Sequence, residues 1–116
     1  MENYSLMSQE LTRQKDIVGA VFFDQESRVL GSHRIKNPEA YSRLLRSFIV
    51  WGNRVGESMY LTSPSYGNID FEGYRLVVFV RKEIRLGIIA PPDGNLETLN
   101  RIVKGIFPED SAGGDQ

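Results

Sequence analysis

The chain has 116 residues, 41% of them hydrophobic and 25% charged, which fits one globular domain and excludes a disordered chain of low hydrophobicity. Its 14 Lys and Arg against 15 Asp and Glu leave a net charge of −1, so there is no general attraction for nucleic acid or an anionic membrane. With no cysteine, disulfides, thiol nucleophiles and thiolate-held metals are all excluded.

Met1-Glu2-Asn3-Tyr4 is polar and carries no basic-then-apolar run. No apolar stretch approaches the ~20 residues of a membrane span, so a cytoplasmic location is expected. Tyr4, Met7 and Leu11 recur at three- and four-residue spacing and predict a short helix within residues 3–15. Ile17-Val18-Gly19-Ala20-Val21-Phe22-Phe23 is apolar throughout, the pattern of a central strand covered on both faces. Asp24-Gln25-Glu26-Ser27 makes a turn, and residues 28–34 return as a more polar strand suited to a sheet edge.

Asn37-Pro38 marks the start of a long helix, because the Asn side chain accepts free amides and Pro at the first helical position gives up no hydrogen bond. The helix is expected to reach Val55, with Gly56 as its stop. Residues 58–72 read either as one bent strand or as a small hairpin, broken at Pro64. Residues 74–80 form another doubly covered strand, Arg81-Lys82-Glu83 a turn, and residues 84–90 its partner. After Pro91-Pro92-Asp93-Gly94, a last helix carries Leu96, Leu99, Ile102, Val103, Ile106 and Phe107 at helical spacing and ends at Pro108.

The expected fold class is α+β, a single antiparallel five-stranded sheet flanked by helices in the order α-β-β-α-β-β-β-α. The domain is placed at residues 1–108, followed by a disordered acidic tail at 109–116.

The central helix carries more apolar surface than one sheet needs. At ~100° per residue, Ala40, Leu44, Phe48, Trp51 and Val55 share one arc, and Tyr41, Leu45, Ile49, Gly52 and Gly56 share the adjoining one. Each arc spans roughly 80°, whereas a helix on one sheet uses a stripe of about 100°. Ser42, Arg43, Arg46, Asn53 and Arg54 supply the polar remainder. The surplus arc is covered either by another segment of the same chain or by the same helix of a second subunit. The second arrangement gives a two-fold homodimer, with Tyr41, Leu45, Ile49, Gly52, Gly56, Met59 and Leu61 as its interface. Arg43, Arg46 and Arg54 are candidates for docking an acidic partner. Arg81, Lys82 and Arg85 form a second basic cluster without the interleaved aromatics that bind single-stranded nucleic acid.

Little points to catalysis. His33 is the lone histidine, expected exposed on an edge strand, so no His–His metal pair exists. No Gly-x-Ser-x-Gly elbow and no phosphate-cradling glycine loop occurs. Asp24, Glu26, Asp70 and Glu72 fall in predicted turns and strand ends, where solvated carboxylates are ordinary. No enzyme activity, metal or cofactor is expected.

Three stretches resemble the roadblock family, the small domains related to dynein light chain roadblock and to bacterial and archaeal GTPase regulators. Residues 17–24 are similar to its opening strand and acidic turn, and Ser58-Met59-Tyr60-Leu61-Thr62 to its third strand. Leu76-Val77-Val78-Phe79-Val80, with Leu86-Gly87-Ile88-Ile89 after a charged turn, is similar to its closing hairpin. The chain departs from the pattern in having Gln25-Glu26-Ser27 where the family usually has a glycine. The resemblance implies a homodimeric or heterodimeric platform that binds a Ras-like small GTPase or a scaffold and carries no catalytic residue. The alternative is a profilin-like or PAS-like sensor of similar build that binds a small ligand in an internal pocket.

Overall fold

The computed structural model describes residues 3–55, 60–63, 66–71 and 73–107. Along them run α1 (Tyr4–Thr12), β1 (Gly19–Phe23), β2 (Val29–His33), α2 (Pro38–Val55), β3 (Tyr60–Ser63), β4 (Tyr66–Phe71), β5 (Tyr74–Arg81), β6 (Ile84–Ala90) and α3 (Leu96–Ile106). The expected tail at 109–116 lies outside the described residues. No helix among the described residues is long and apolar enough to cross a membrane.

All three helices open on an asparagine whose side chain takes a free amide. Asn3 Oδ1 accepts from the Leu6 amide at 3.1 Å, Asn37 Oδ1 from Ala40 at 3.3 Å, and Asn95 Oδ1 from Thr98 at 3.0 Å.

The strands form one antiparallel sheet in the order β2-β1-β6-β5-β4-β3. Among the described residues it has six strands rather than the expected five, because 60–63 and 66–71 are two antiparallel strands, with Tyr60 opposite Asn68 and Leu61 opposite Gly67. The edge position of β2 and the interior position of β1 agree with the sequence reading.

Both faces of the sheet are covered, which explains the unbroken apolar runs. Ala20 and Phe22 of β1, Val77 and Phe79 of β5, and Leu86, Ile88 and Ala90 of β6 face α1 and α3. There they meet Leu11, Leu99, Val103 and Phe107. The Tyr4 ring lies 5.0 Å from Phe22, and Phe22 meets Phe107 edge-on at 5.2 Å. On the other face Val21, Phe23, Leu76, Val78 and Ile89 pack beneath α2. Gly87 also lies on this face, where a β-carbon would collide with Leu45 Cδ1 and come within 3.3 Å of Val21 Cγ1.

The β1–β2 turn is organised by Asp24. Its Oδ1 accepts the amides of Glu26 and Arg28, each at 2.9 Å, and its Oδ2 accepts Arg28 Nε at 2.8 Å. Partial burial pulls its carboxyl upward, but the Arg28 and Glu26 amides and the Arg28 guanidinium outweigh it, so the carboxyl is held below the usual carboxylate range. Ser27 adopts the left-handed conformation at φ 69°, at the turn where the roadblock pattern favours glycine.

Two predictions follow from this packing. Gly87→Ala overpacks the α2 face and destabilises the fold by about 1–3 kcal/mol, while Leu45→Ala costs about 2–5 kcal/mol. Urea melts of the double variant then show less than the sum of the two losses. The second concerns acid. In the unfolded chain Asp24 takes up its proton near pH ~3.9, and in the folded chain only at lower pH. Its contribution is therefore complete above that unfolded value and is lost as pH falls through the folded value. Urea midpoints measured against pH decline less steeply in Asp24→Asn than in the parent over this acid window.

Candidate functional site

Of the residues singled out for binding, Tyr41, Arg43, Leu45, Arg46, Ile49, Gly52 and Arg54 lie on α2 and Leu61 on β3. Leu45, of the arc read as the self-pairing surface, is turned onto the chain's own sheet, and Tyr41 and Leu44, one from each arc, pack partly buried beside it. Leu45, read as an interface residue, is 3% exposed and packs on Val21, Phe23, Leu76, Val78 and Ile89 of its own sheet. Ser42, assigned to the polar side, is fully buried, and its Oγ donates to the Ser27 carbonyl at 2.8 Å. Leu45 and Ser42 together fix the inward direction, so the Tyr41–Leu45 arc faces the sheet. Gly87, without a side chain, leaves room for Leu45 on this face. Ala40 and Leu44, which begin the other arc, are half-buried. Tyr41 is half-buried at the flank of the helix. Ile49, Gly52 and Arg54 lie further along α2, and Leu61 lies on β3, the far edge of the sheet. Gly56 and Met59 lie outside the described residues.

Arg43 and Arg46 are both exposed on α2. Arg46 Nε donates to the Gln25 carbonyl at 2.8 Å, tying the helix to the β1–β2 turn. Arg85, opposite Phe23 in the ladder, donates to the Lys82 carbonyl at 2.8 Å. Burial depresses the Arg85 pKa most; the positive charge of Arg46 adds to the effect, and Asp24, Glu26 and Glu83 oppose it. Arg46 of the helix and Arg85 of the β5–β6 hairpin, distant in sequence, thus meet at one end of the sheet. Arg81 does not join them. It is 3% exposed, with its guanidinium 5.6 Å from the Phe79 ring and 5.4 Å from the Phe107 ring, and its Nε donates to the Phe107 carbonyl at 3.3 Å.

His33 is half-buried rather than exposed. Its Nδ1 lies 2.8 Å from Thr12 Oγ1, a hydrogen bond that fastens the end of α1 to β2. Among the described residues no group of three His, Asp or Glu side chains could hold a metal.

The sequence reading missed a cavity at the opposite end of the sheet, of about 190 Å³. Its floor is Ile89, and Val18, Ile35, Tyr41 and Tyr74 form the walls, with Arg34 and Lys36 beside them. The only signal in the sequence is the alternation Arg34-Ile35-Lys36 ahead of the α2 cap. It is smaller than the ~300–1,000 Å³ typical of small-molecule sites.

No protein-family profile and no curated protein matches the sequence. Solved structures do match in shape. A roadblock/LC7 domain from Streptomyces avermitilis superposes with a TM-score of 0.74 at 14% identity, over 92% of this chain and 97% of that one. MglB from Myxococcus xanthus gives a TM-score of 0.74 at 11% identity, over 92% and 84%. Profilin IB from Acanthamoeba castellanii gives 0.65 at 7% identity, over 90% and 92%. An antiparallel sheet between a helix pair and a single long helix, matched over nearly the whole of each chain, is the roadblock fold, and this chain has it.

Proposed function

We propose that the chain is a non-catalytic interaction module that pairs with a second copy of itself and serves as adaptor or regulator of a Ras-like small GTPase. The observation that carries the reading is the division of labour on α2. Leu45 is buried on the sheet, whereas Ala40 and Leu44 are only partly buried, Leu44 with one side on the same cluster, and the apolar spacing they begin continues through Phe48, Trp51 and Val55. This replaces the self-pairing arc expected from sequence with its neighbour. The edge strand β3 runs after the same helix, and edge pairing between copies removes its exposure. The small-GTPase assignment rests on the roadblock resemblance of the sequence and is supported by the roadblock fold. The exposed Arg43 and Arg46, with Arg54 on the same helix, supply the docking charge for an acidic surface.

Light scattering of the parent gives the mass of a dimer. Ala40→Glu and Leu44→Asp give the mass of a monomer with an unchanged circular dichroism spectrum, whereas Leu45→Asp unfolds the chain. A parent that runs as a monomer ends the self-pairing reading. In pull-downs with the Ras-like GTPases of the source genome, each loaded with a GTP analogue, Arg43→Glu and Arg46→Glu each weaken capture about tenfold at low salt, and less at high salt. Capture of none of them by the parent rules out the GTPase assignment.

A further inference from the structure

We propose that the cavity beside Tyr41 is an anchor pocket that takes one large apolar side chain from an acidic segment of a separate protein. This does not depend on the self-pairing or GTPase readings.

Three observations carry it. The first is exposed apolar surface. Leu6, Val18, Leu30 and Tyr74 are the large hydrophobic residues left exposed among those described, and two of them, Val18 at 38% and Tyr74 at 46%, line this one cavity. Two apolar groups converging on a recess whose floor is the nearly buried Ile89 differ from the single exposed side chains that any surface carries.

The second is size and rigidity. About 190 Å³ is too small for most small-molecule ligands but holds one leucine- or phenylalanine-sized side chain. The wall is set in place, because a β-carbon on Gly19 would fall 2.9 Å from both the Arg34 carbonyl oxygen and Ile35 Cγ1. The 34–35 segment therefore lies directly against the backbone of β1. Arg34 is held there at φ 63°, a left-handed conformation that a non-glycine residue keeps only when its surroundings enforce it. A recess already formed in the free protein spares a partner the cost of ordering it.

The third is charge. Most of the other described arginines are engaged: Arg13 with Glu10, Arg28 with Asp24 and Glu26, Arg46 and Arg85 on carbonyls, and Arg75 on the Gly94 carbonyl. Among the described residues Arg34 and Lys36 have no ion-pair or side-chain hydrogen-bond partner, and none of the described residues lining the cavity is a carboxylate. The positive end of α2 begins one residue beyond, at Asn37. An apolar recess between two uncommitted cations complements an apolar side chain flanked by carboxylates.

The test uses the full, isotope-labelled chain and three probe peptides followed by amide chemical shifts. They are acetyl-Asp-Glu-Phe-Asp-Glu-amide, the same peptide with Ala in place of Phe, and its Lys-flanked counterpart. The Phe peptide with acidic flanks moves the signals of Val18, Ile35, Tyr41 and Ile89. The Ala peptide binds at least about tenfold more weakly, since burial of one large side chain is lost. In the Arg34→Glu/Lys36→Glu variant the preference inverts, so that the Lys-flanked peptide binds better than the acidic one. Val18→Asp abolishes binding while the dichroism spectrum stays that of the parent. Shifts that fall elsewhere, equal binding of the Phe and Ala peptides, or an uninverted preference in the charge-reversed variant each overturn the proposal. Concentration-dependent shifts of the same four residues without peptide also overturn it, because they identify the occupant as a second copy of the chain. The self-association measured by light scattering is the same in the charge-reversed variant as in the parent, so failure here and failure of the dimer are read separately.

Discussion

Leu45 sits over the bare backbone of Gly87, and the rest of the α2 face is arranged around that contact. With a β-carbon at position 87, Leu45 Cδ1 could not keep its place. With Leu45 seated there, Ser42 lies on the Ser27 carbonyl, Arg46 reaches the Gln25 carbonyl, and Tyr41 lines the cavity at the far end of the sheet. The same contact decides which apolar arc is used internally and which is left over. A small residue in the middle of a strand thus orients a helix, and through it every surface the helix presents.

The opposite face is built differently. Two helices share it, and aromatic stacking from Tyr4 through Phe22 to Phe107 joins the first helix, the second-to-edge strand and the last helix in one line. Arg81 closes this face at the end of α3, its guanidinium over two phenylalanine rings and its Nε on the last helical turn's exit carbonyl. A cation so placed acts on the core and is withdrawn from any partner, which separates it from Lys82 and Arg85 beside it in the chain.

Much of this was legible in the sequence, for reasons that can be named. The apolar runs in β1 and β5 meant cover on both faces, and both faces are covered. The spacing of Leu99, Val103 and Phe107 placed α3 on the sheet, and Asn37 capped α2 as its chemistry requires. The choice between the arcs of α2 was not legible, because Leu44 and Leu45 are equally apolar and the decision is made by Gly87, more than forty positions away. Between one bent strand and a hairpin for residues 58–72 the sequence does not choose, because Tyr66-Gly67-Asn68-Ile69-Asp70-Phe71 mixes strand formers with turn residues and fits a bend as well as a strand. The cavity was invisible for a topological reason. Val18, Ile35, Tyr41, Tyr74 and Ile89 come from separate segments, and only the sheet order brings them together.

The cations of the molecule divide by what they already hold, and that division bears on where a partner gains most. Arg46 has one of its donors on a backbone carbonyl, which fixes the side chain and leaves further N–H groups to offer. A partner carboxylate arriving there meets a guanidinium whose ordering cost has already been met by the fold, but it also meets Asp24, Glu26 and Glu83 around the neighbouring Arg85. At the other end of the sheet, Arg34 and Lys36 hold no partner among the described residues, and no described carboxylate stands at the cavity wall to compete with an incoming one. Their side chains must still be ordered on binding, which for exposed pairs consumes most of the Coulomb gain. Charge alone therefore gives little at either end. The end with the apolar recess differs because burial of one side chain there supplies affinity that does not depend on salt, leaving the two cations to select which sequence carries it.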